Sequence, residues 1–353
     1  MTKIVFFGVG NMGQGAHLRN YVVTPDCEVV AIIEGKSELA KKVSEKYGIK
    51  NVFATLDEFK AANIEFDGFV SSQQYTNNRN VLGELFKCGK PIFSEKPISL
   101  GVETGKELVS LEKQYNAPLM MGYHKRSDPA MEFAKNLIEE WKKSGDFGRL
   151  KYIRSTMPEG DWVNNGYDGL IQTNEEYPWI CEWEPPVEYY KNPENNKYYD
   201  IYVNFYVHQI NALRFLLGED YKPTYAEPTK TLFVGKSASG IPVTIEQAPF
   251  KTTIDWYESY MVCFEKGFIQ IELPAPLALN RSGNVTVMED NGAPGNPKTW
   301  SPNLLYVHAM KNQARNFVEF VKGNRPPTCT GEEAVKDLEV IRDYVKLVDE
   351  GDF

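Results

Sequence analysis

Cysteine is scarce. The 353 residues hold five (Cys27, Cys88, Cys181, Cys263, Cys329), an odd number, widely scattered and without a CxxC pair. Neither a disulfide framework nor a zinc ribbon fits that spacing. Histidine is scarcer still: His17, His124, His208 and His308 form no HxxxH or HxxEH pair, so no metal is expected. No apolar run approaches the ~20 residues that span a bilayer. Met1-Thr2-Lys3 leads straight toward a strand without a secretory apolar segment, which points to a cytoplasmic protein. Positive charge is also in deficit: a net charge of -9 and a pI near 5.2 argue against nucleic acid or an anionic membrane as the main partner. Low-complexity tracts and internal repeats are absent. What remains is an ordinary soluble composition, 42% hydrophobic and 25% charged with generous Tyr and Phe, over a length that predicts two domains.

The first motif comes at once. Lys3–Phe7 is a short apolar run that ends in Gly8-Val9-Gly10-Asn11-Met12-Gly13, and a helical stretch follows through Ala16, Leu18 and Tyr21. A GxGxxG between strand and helix is the context in which the pattern binds a dinucleotide. Gly8 serves the tight turn, Gly10 lets a pyrophosphate approach the backbone, and Gly13 lets helix and strand pack closely. The helix N-terminus then offers unpaired N–H groups to the phosphates. A second strand, Glu28–Ile33, ends at Glu34, roughly 20 residues past the last glycine, where an acid accepts hydrogen bonds from the adenosine ribose. Glu34 would repel a 2′-phosphate, so NAD is favoured over NADP, with Lys36 keeping NADP open.

Strand and helix keep alternating. A helix is expected from Ser37 to Tyr47, a strand at 66–70 ending in Ser71-Ser72, a helix at 77–88, a helix at 102–115 and a strand at 118–122. Such alternation with short links predicts a doubly wound parallel sheet over residues 1–123. Within it, Gly89-Lys90-Pro91-Ile92-Phe93-Ser94-Glu95-Lys96-Pro97 carries an acid and a lysine to a strand's C-terminal edge, where open α/β sheets bind ligands. Taken alone, the stretch reads equally well as a turn with a solvated ion pair. Ser71 and Ser72 read as cleft lining or as simple loop.

From residue 124 the pattern changes. A helix over about 130–143 precedes strands at 150–157, 231–234, 242–248, 260–264 and 268–272, then helices at 305–322 and 332–350. Strands without intervening helices predict a mixed α+β domain, 124–353, on a largely antiparallel open sheet. Helix 332–350 is expected to pack back on the first domain. The stretch 158–200 reads as one long irregular loop rich in Trp, Tyr, Asn and Pro, which includes Trp162 and Trp179 and also Glu182 and Glu184. A loop of that length is a binding lid, whose aromatic faces and carboxylates suit a sugar, or else a packing or oligomer arm. On a single helix, Asn204, His208 and Asn211 form one polar stripe beside Val203, Val207, Ile210 and Leu217. The stripe suits the wall of a site, though a lone helical histidine is as readily structural.

Together these pieces resemble the glucose–fructose oxidoreductase/inositol dehydrogenase (Gfo/Idh/MocA) family. The resemblance rests on the glycine loop, Glu34, Glu95-Lys96-Pro97, Gly122-Tyr123-His124-Lys125-Arg126-Ser127-Asp128-Pro129, and the helix around His208 that leads to Leu216-Leu217-Gly218. It implies a Rossmann domain, a second domain whose open sheet serves oligomer contacts, and pyridine-nucleotide redox on sugars, cyclitols or related polyols. By the same resemblance Lys96 touches nicotinamide ribose and the reacting hydroxyl, and His208 is the acid/base. The candidate cofactor-binding set is Gly8, Gly10, Asn11, Met12, Gly13, Glu34, Ser71, Ser72, Glu95, Lys96 and Lys125. The candidate substrate-binding set is Lys96, Lys125, Trp162, Trp179, Asn204, Tyr206 and His208. This chain departs from the family where Asn204 and Asn211 replace two aspartates, so His208 is expected to act through its neutral form, with Lys96 or Tyr206 sharing proton transfer.

The expected activity is NAD-dependent oxidation of a secondary hydroxyl of a sugar or glycoside, with C3 of a glucosyl ring as a narrower reading. Hydride removal from a carbinol carbon needs a base for its O–H proton, and histidine's unperturbed pKa of ~6.5 suits that task. Two alternatives stand beside it: a redox-neutral glycoside hydrolase that oxidises, eliminates and re-reduces, and a non-catalytic NAD-binding module. Glu182 and Glu184 are too close in sequence to flank a glycosidic bond as a direct hydrolase requires.

Overall fold

The computed structural model describes residues 1–178, 182–290, 292 and 297–351. Two compact units are present. The first comprises Met1–Tyr123, Asn165–Pro185 and Met310–Val335; the second comprises His124–Asn164, Pro186–Ala309 and Lys336 onward. Segments 165–185 and 310–335, which the sequence pattern placed with the second domain, therefore fold with the first, and residues after Val335 fold with the second.

The first unit runs β1 (Thr2–Phe7), a π-helical turn (Gly13–Leu18) into α1 (Arg19–Tyr21), β2 (Cys27–Ile33), α2 (Ser37–Tyr47), β3 (Asn51–Phe53), α3 (Leu56–Ala61), β4 (Gly68–Ser71), α4 (Asn78–Phe86), β5 (Ile92–Glu95), α5 (Val102–Tyr115) and β6 (Leu119–Gly122). Its six strands are all parallel in the order β3-β2-β1-β4-β5-β6. Order reverses between β1 and β4, which opens the crevice used by ligands of doubly wound sheets. Ile4, Phe6, Ile32, Val70, Phe93 and Met120 are buried in one core with Ala314, Phe317 and Val318. That apolar face is why residues 310–335 belong here: Phe317 meets Tyr21 and Phe93 edge-on at centroid distances of 6.3 and 5.8 Å. The sequence pattern overlooked β3 and α3, which are short; α3 has a legible start, Thr55 accepting a hydrogen bond from the Glu58 amide.

The second unit contains α6 (Pro129–Ser144), β7 (Leu150–Glu159), α7 (Pro193–Phe205), α8 (Val207–Leu217), β8 (Tyr221–Ala226), β9 (Leu232–Ser237), β10 (Pro242–Lys251), β11 (Glu258–Phe264), β12 (Gly267–Leu273), β13 (Asn284–Glu289) and β14 (Lys298–Trp300). The chain closes with α9 (Ala309–Val321) and α10 (Gly331–Glu350). The eight strands form one sheet in the order β14-β13-β12-β11-β7-β10-β9-β8, antiparallel except for the β7–β10 pair. Burial alternates along β11 and β12, as expected of strands with one covered face. Among the described residues no helix is long and apolar enough to cross a membrane.

Two sequence expectations need correction. The irregular stretch ends at residue 192, because Asn192 caps α7 by accepting from the Glu194 amide and Pro193 takes the first helical position. The single helix expected through His208 is interrupted at Tyr206, which leaves α7 and α8 as separate elements. Asn204 is exposed at the end of one, and Asn211 is buried in the other.

Asp128 caps α6, accepting from the Ala130 amide at 2.8 Å, and ties in the Gly283 amide at 3.0 Å. Burial raises its carboxyl to about 6. A folded-state pKa above the unfolded one means that the folded protein binds the extra proton as pH falls below about 6, until the unfolded chain binds it too near pH 4. Relative to Asp128→Asn, the wild type is expected to gain unfolding free energy as pH falls through that window, measured by urea titration at pH 7 and pH 4.5. Asp128→Ala, which loses the cap outright, is expected to cost about 1–2 kcal/mol at neutral pH in the same assay.

Candidate active site

The three glycines of the first loop answer three different steric demands. Gly8 has φ +92°, and a Cβ there would stand 2.2 Å from the Gln73 amide nitrogen and 2.7 Å from the Ser72 carbonyl. A Cβ on Gly13 would stand 2.5 Å from the Gly8 carbonyl oxygen, so the helix start rests directly on the turn. Gly10 faces open space, with no atom within 4 Å of the Cβ position. The fold needs Gly8 and Gly13. Gly10 it does not need, and the space beside it is open to close approach.

Glu34 stands at the end of β2 and is buried. Its carboxylate accepts from the Val9 amide at 3.0 Å and the Lys36 amide at 3.1 Å, which ties the β2 terminus to the glycine loop. Ser71 is buried within β4, and its hydroxyl has no hydrogen-bond partner among the described residues. Ser72 lies against the loop, its amide donating to the Phe7 carbonyl. One strand further on, Glu95 and Lys96 close β5. Glu95 is buried and paired with His17 at 2.6 Å, a partner the sequence pattern did not suggest. His17 sits on the π-helical turn, four residues past Gly13, so the pair links the glycine loop's helix to the strand that carries Lys96. Lys96 itself is half-buried, and its peptide bond to Pro97 is cis. The switch-point order thus lays Glu34, the glycine loop, Ser72 and Glu95-Lys96 along successive strand ends: β2, β1, β4, β5. Three interstrand steps span about 14 Å, an extended track with an acid at one end and a lysine at the other.

Residues 165–178 and 182–185 make contacts along this same edge. Tyr167 donates its hydroxyl to the Met12 sulfur at 3.2 Å, and Gln14 exchanges two 3.0 Å hydrogen bonds with Ile171. Gln172 reaches Asn11 at 3.4 Å. Glu175 caps α2, and Glu184 accepts from the Leu100 and Gly101 amides at 2.8 Å each at the start of α5. The Glu184 carboxylate is therefore committed to a helix terminus and is not placed as a glycosidase acid. Trp179 lies outside the described residues.

In the second unit, α8 presents His208 in its first turn, half-buried, with its ring edge-to-face against His124 at a centroid distance of 5.1 Å. Lys125 is buried and ion-paired with Glu258 at 2.6 Å; Glu258 also accepts from Gln209 at 2.8 Å and from Tyr260. Asn211 bridges two charges, accepting from Arg126 at 2.6 Å and donating to Asp337 at 2.7 Å. Asp337 is fully buried against Arg214, and burial raises its carboxyl above the usual range against the pull of that guanidinium. A buried acid thus stands beside Asn211 after all, delivered by α10 rather than by α8. Burial pushes the Tyr206 hydroxyl up to about 12. That direction favours its protonated, hydrogen-bond-donating form near neutral pH. Trp162 is 39% exposed on the stretch after β7, whereas Tyr189 and Tyr190 pack on Tyr199 and take structural positions.

The contrast between the glycines gives a test that separates fold from binding. Gly10→Ala should change unfolding free energy by less than about 0.5 kcal/mol while weakening dinucleotide binding at least about tenfold by calorimetry. Gly13→Ala should cost about 1–3 kcal/mol of stability through overpacking against the Gly8 carbonyl.

Comparison with known proteins agrees with this arrangement. Residues 2–123 match the family described as the GFO_IDH_MocA oxidoreductase family with an NAD-binding Rossmann fold. An inositol 2-dehydrogenase of Rhizobium meliloti is 23% identical over a stretch that covers 67% of this chain and 60% of that enzyme. Among solved structures, an aldose-aldose oxidoreductase from Caulobacter crescentus superposes with a TM-score of 0.70 at 16% identity, over 99% of this chain and 98% of that one. A UDP-N-acetylglucosamine 3-dehydrogenase from Acidithiobacillus ferrooxidans does so with a TM-score of 0.66 at 13% identity, over 98% of each chain. The three-glycine turn and the acid at the end of β2 thus lie within residues 2–123, the part of the chain that matches the oxidoreductase family with an NAD-binding Rossmann fold, and the chain as a whole shares the fold of those solved structures.

Proposed function

We propose that the protein oxidises a secondary ring hydroxyl of a sugar, cyclitol or glycoside with NAD. The observation that supports this reading is the line of strand ends in the first unit, with the Glu34 carboxylate at β2, the Lys96 amine at β5 and an open Gly10 between them. Gly8, Gly10, Gly13 and Glu34 are the residues that would hold the dinucleotide, with Asn11, Met12 and Ser72 beside them. When bound, NAD supplies the hydride acceptor. In this reading the Lys96 ammonium positions the nicotinamide ribose and the reacting hydroxyl. His208 accepts the carbinol proton, a task suited to an imidazole near neutral pH. Glu95, fixed by His17 on one oxygen, holds the turn that aims Lys96. Trp162 offers an apolar face for a sugar ring.

The substrate class is supported by the relatives' names, an inositol 2-dehydrogenase and a UDP-N-acetylglucosamine 3-dehydrogenase. Both refer to a ring position. On that ground we place C3 of a glucosyl ring first among the hydroxyls to test. Homo-oligomerisation through the eight-stranded sheet is part of the same proposal.

Mixing stoichiometric protein and NAD with a panel of cyclitols, sugars and glycosides should raise reduced-nicotinamide absorbance with one substrate class. Lys96→Ala should lower that rate by about 10²–10⁴-fold while NAD affinity changes far less. His208→Gln should lower the rate comparably and remove the fall in rate at low pH that protonation of a general base produces. Product formation without net reduced cofactor would replace this reading by redox-neutral chemistry, and an unchanged rate in Lys96→Ala would remove Lys96 from the mechanism.

A further inference from the structure

Residues 165–178 also bring a carboxylate, Glu175, to the start of α2, the helix that follows Glu34. Beyond Glu34 the chain runs Gly35-Lys36-Ser37 into α2. A phosphate on the adenosine ribose would lie next to Glu34, over Lys36, the Ser37 hydroxyl and the first amides of α2. One ammonium, one hydroxyl and two amides at a helix start make an anion site.

That site already holds an anion. Glu175 accepts from the Glu38 amide at 2.9 Å and the Ser37 hydroxyl at 3.3 Å with one oxygen, and from the Leu39 amide at 2.9 Å with the other. Thr173 donates to the same carboxylate at 2.9 Å. Two residues on, the Tyr177 ring lies 4.7 Å beneath the Lys36 ammonium and engages the local cation as well. The segment is held in register by the Gln14–Ile171 pair, by Lys46 donating to the Gly169 carbonyl at 2.6 Å, and by Arg19 donating to the Gly166 carbonyl at 2.9 Å.

We propose that Glu175 is a second determinant of NAD over NADP: its carboxylate occupies the amides and hydroxyl that a 2′-phosphate would require, and Tyr177 diverts the lysine that would pair with it. Glu34 selects for the ribose hydroxyl from one side, and Glu175 excludes the phosphate from the other. The proposal rests on NAD binding at the glycine loop. It predicts that removing Glu34 alone does not convert the specificity, because the phosphate's partners stay occupied.

The test is a double-mutant cycle read by calorimetric Kd for NAD and NADP, on full-length wild type, Glu34→Ser, Glu175→Ala and the double variant, with Glu175→Gln as a size-conserving control. Wild type should bind NAD and discriminate against NADP. Glu34→Ser should lose NAD affinity with little gain for NADP. The double variant should bind NADP at least about tenfold more tightly than the product of the single effects allows. Glu175→Gln, which keeps an acceptor but no charge, should fall between wild type and Glu175→Ala for NADP and match wild type for NAD. Full NADP gain in Glu34→Ser alone, or an additive cycle in variants that still bind a dinucleotide, overturns the role of Glu175. Failure of wild type to bind NAD overturns the cofactor reading and this proposal with it.

Discussion

Every helix that follows a strand in a parallel sheet points its N-terminus toward the same edge, and each N-terminus carries amides with no partner inside the helix. The first unit is organised by how those amides are met. Thr55 serves α3, Glu175 serves α2, and Glu184 serves the turn into α5. Glu34 meets the Val9 amide of the glycine loop. Carboxylates suit this task because the helix dipole adds to the hydrogen bonds. Two of the acids, Glu175 and Glu184, are remote in sequence from the helices they serve, and their hydrogen bonds tie them to the first unit. Beside Gly10 the space at the Cβ position is open to 4 Å, room that a phosphate group could use.

In the second unit the organising constraint is buried charge. Lys125–Glu258 and Arg214–Asp337 are ion pairs with almost no solvent contact. Such pairs add little net stability, but removal of one partner is costly, about 3–5 kcal/mol. Each is completed by a neutral amide: Gln209 donates to Glu258, and Asn211 joins Arg126 to Asp337. Gln209 and Asn211 both belong to α8, whose first turn carries His208, so the helix that holds the proposed base is pinned on two sides by the polar network. Asparagine at 211 is therefore a connector between fixed charges. An aspartate there would stand against Asp337 and add a second buried acid.

Much of this was legible in the chain itself. Strand–helix alternation marked the parallel sheet, GxGxxG with an acid at strand end marked its cofactor loop, and the run of strands after residue 230 marked the second sheet. Short elements escaped because three residues of β3 or β14 carry too little periodicity to register. The start of α7 was readable in Asn192-Pro193-Glu194 but was hidden within a stretch whose aromatic content suggested a loop. The break at Tyr206 had no such signal, since neither proline nor glycine marks it.

What the sequence determined by itself are the features set by local geometry: the positive-φ glycine, the caps, the alternation, and the spacing from Gly13 to Glu34. These depend on residues within a turn or a single β-α-β unit, where chain connectivity already limits the outcome. What only the tertiary structure decided are the pairings across the chain. His17 with Glu95, Glu175 with the α2 amides, and Asn211 with Asp337 join residues 78, 137 and 126 positions apart. Each is chosen by which unpaired donor or buried charge lies within reach once the sheets have formed, and that demand has no period or motif along the chain.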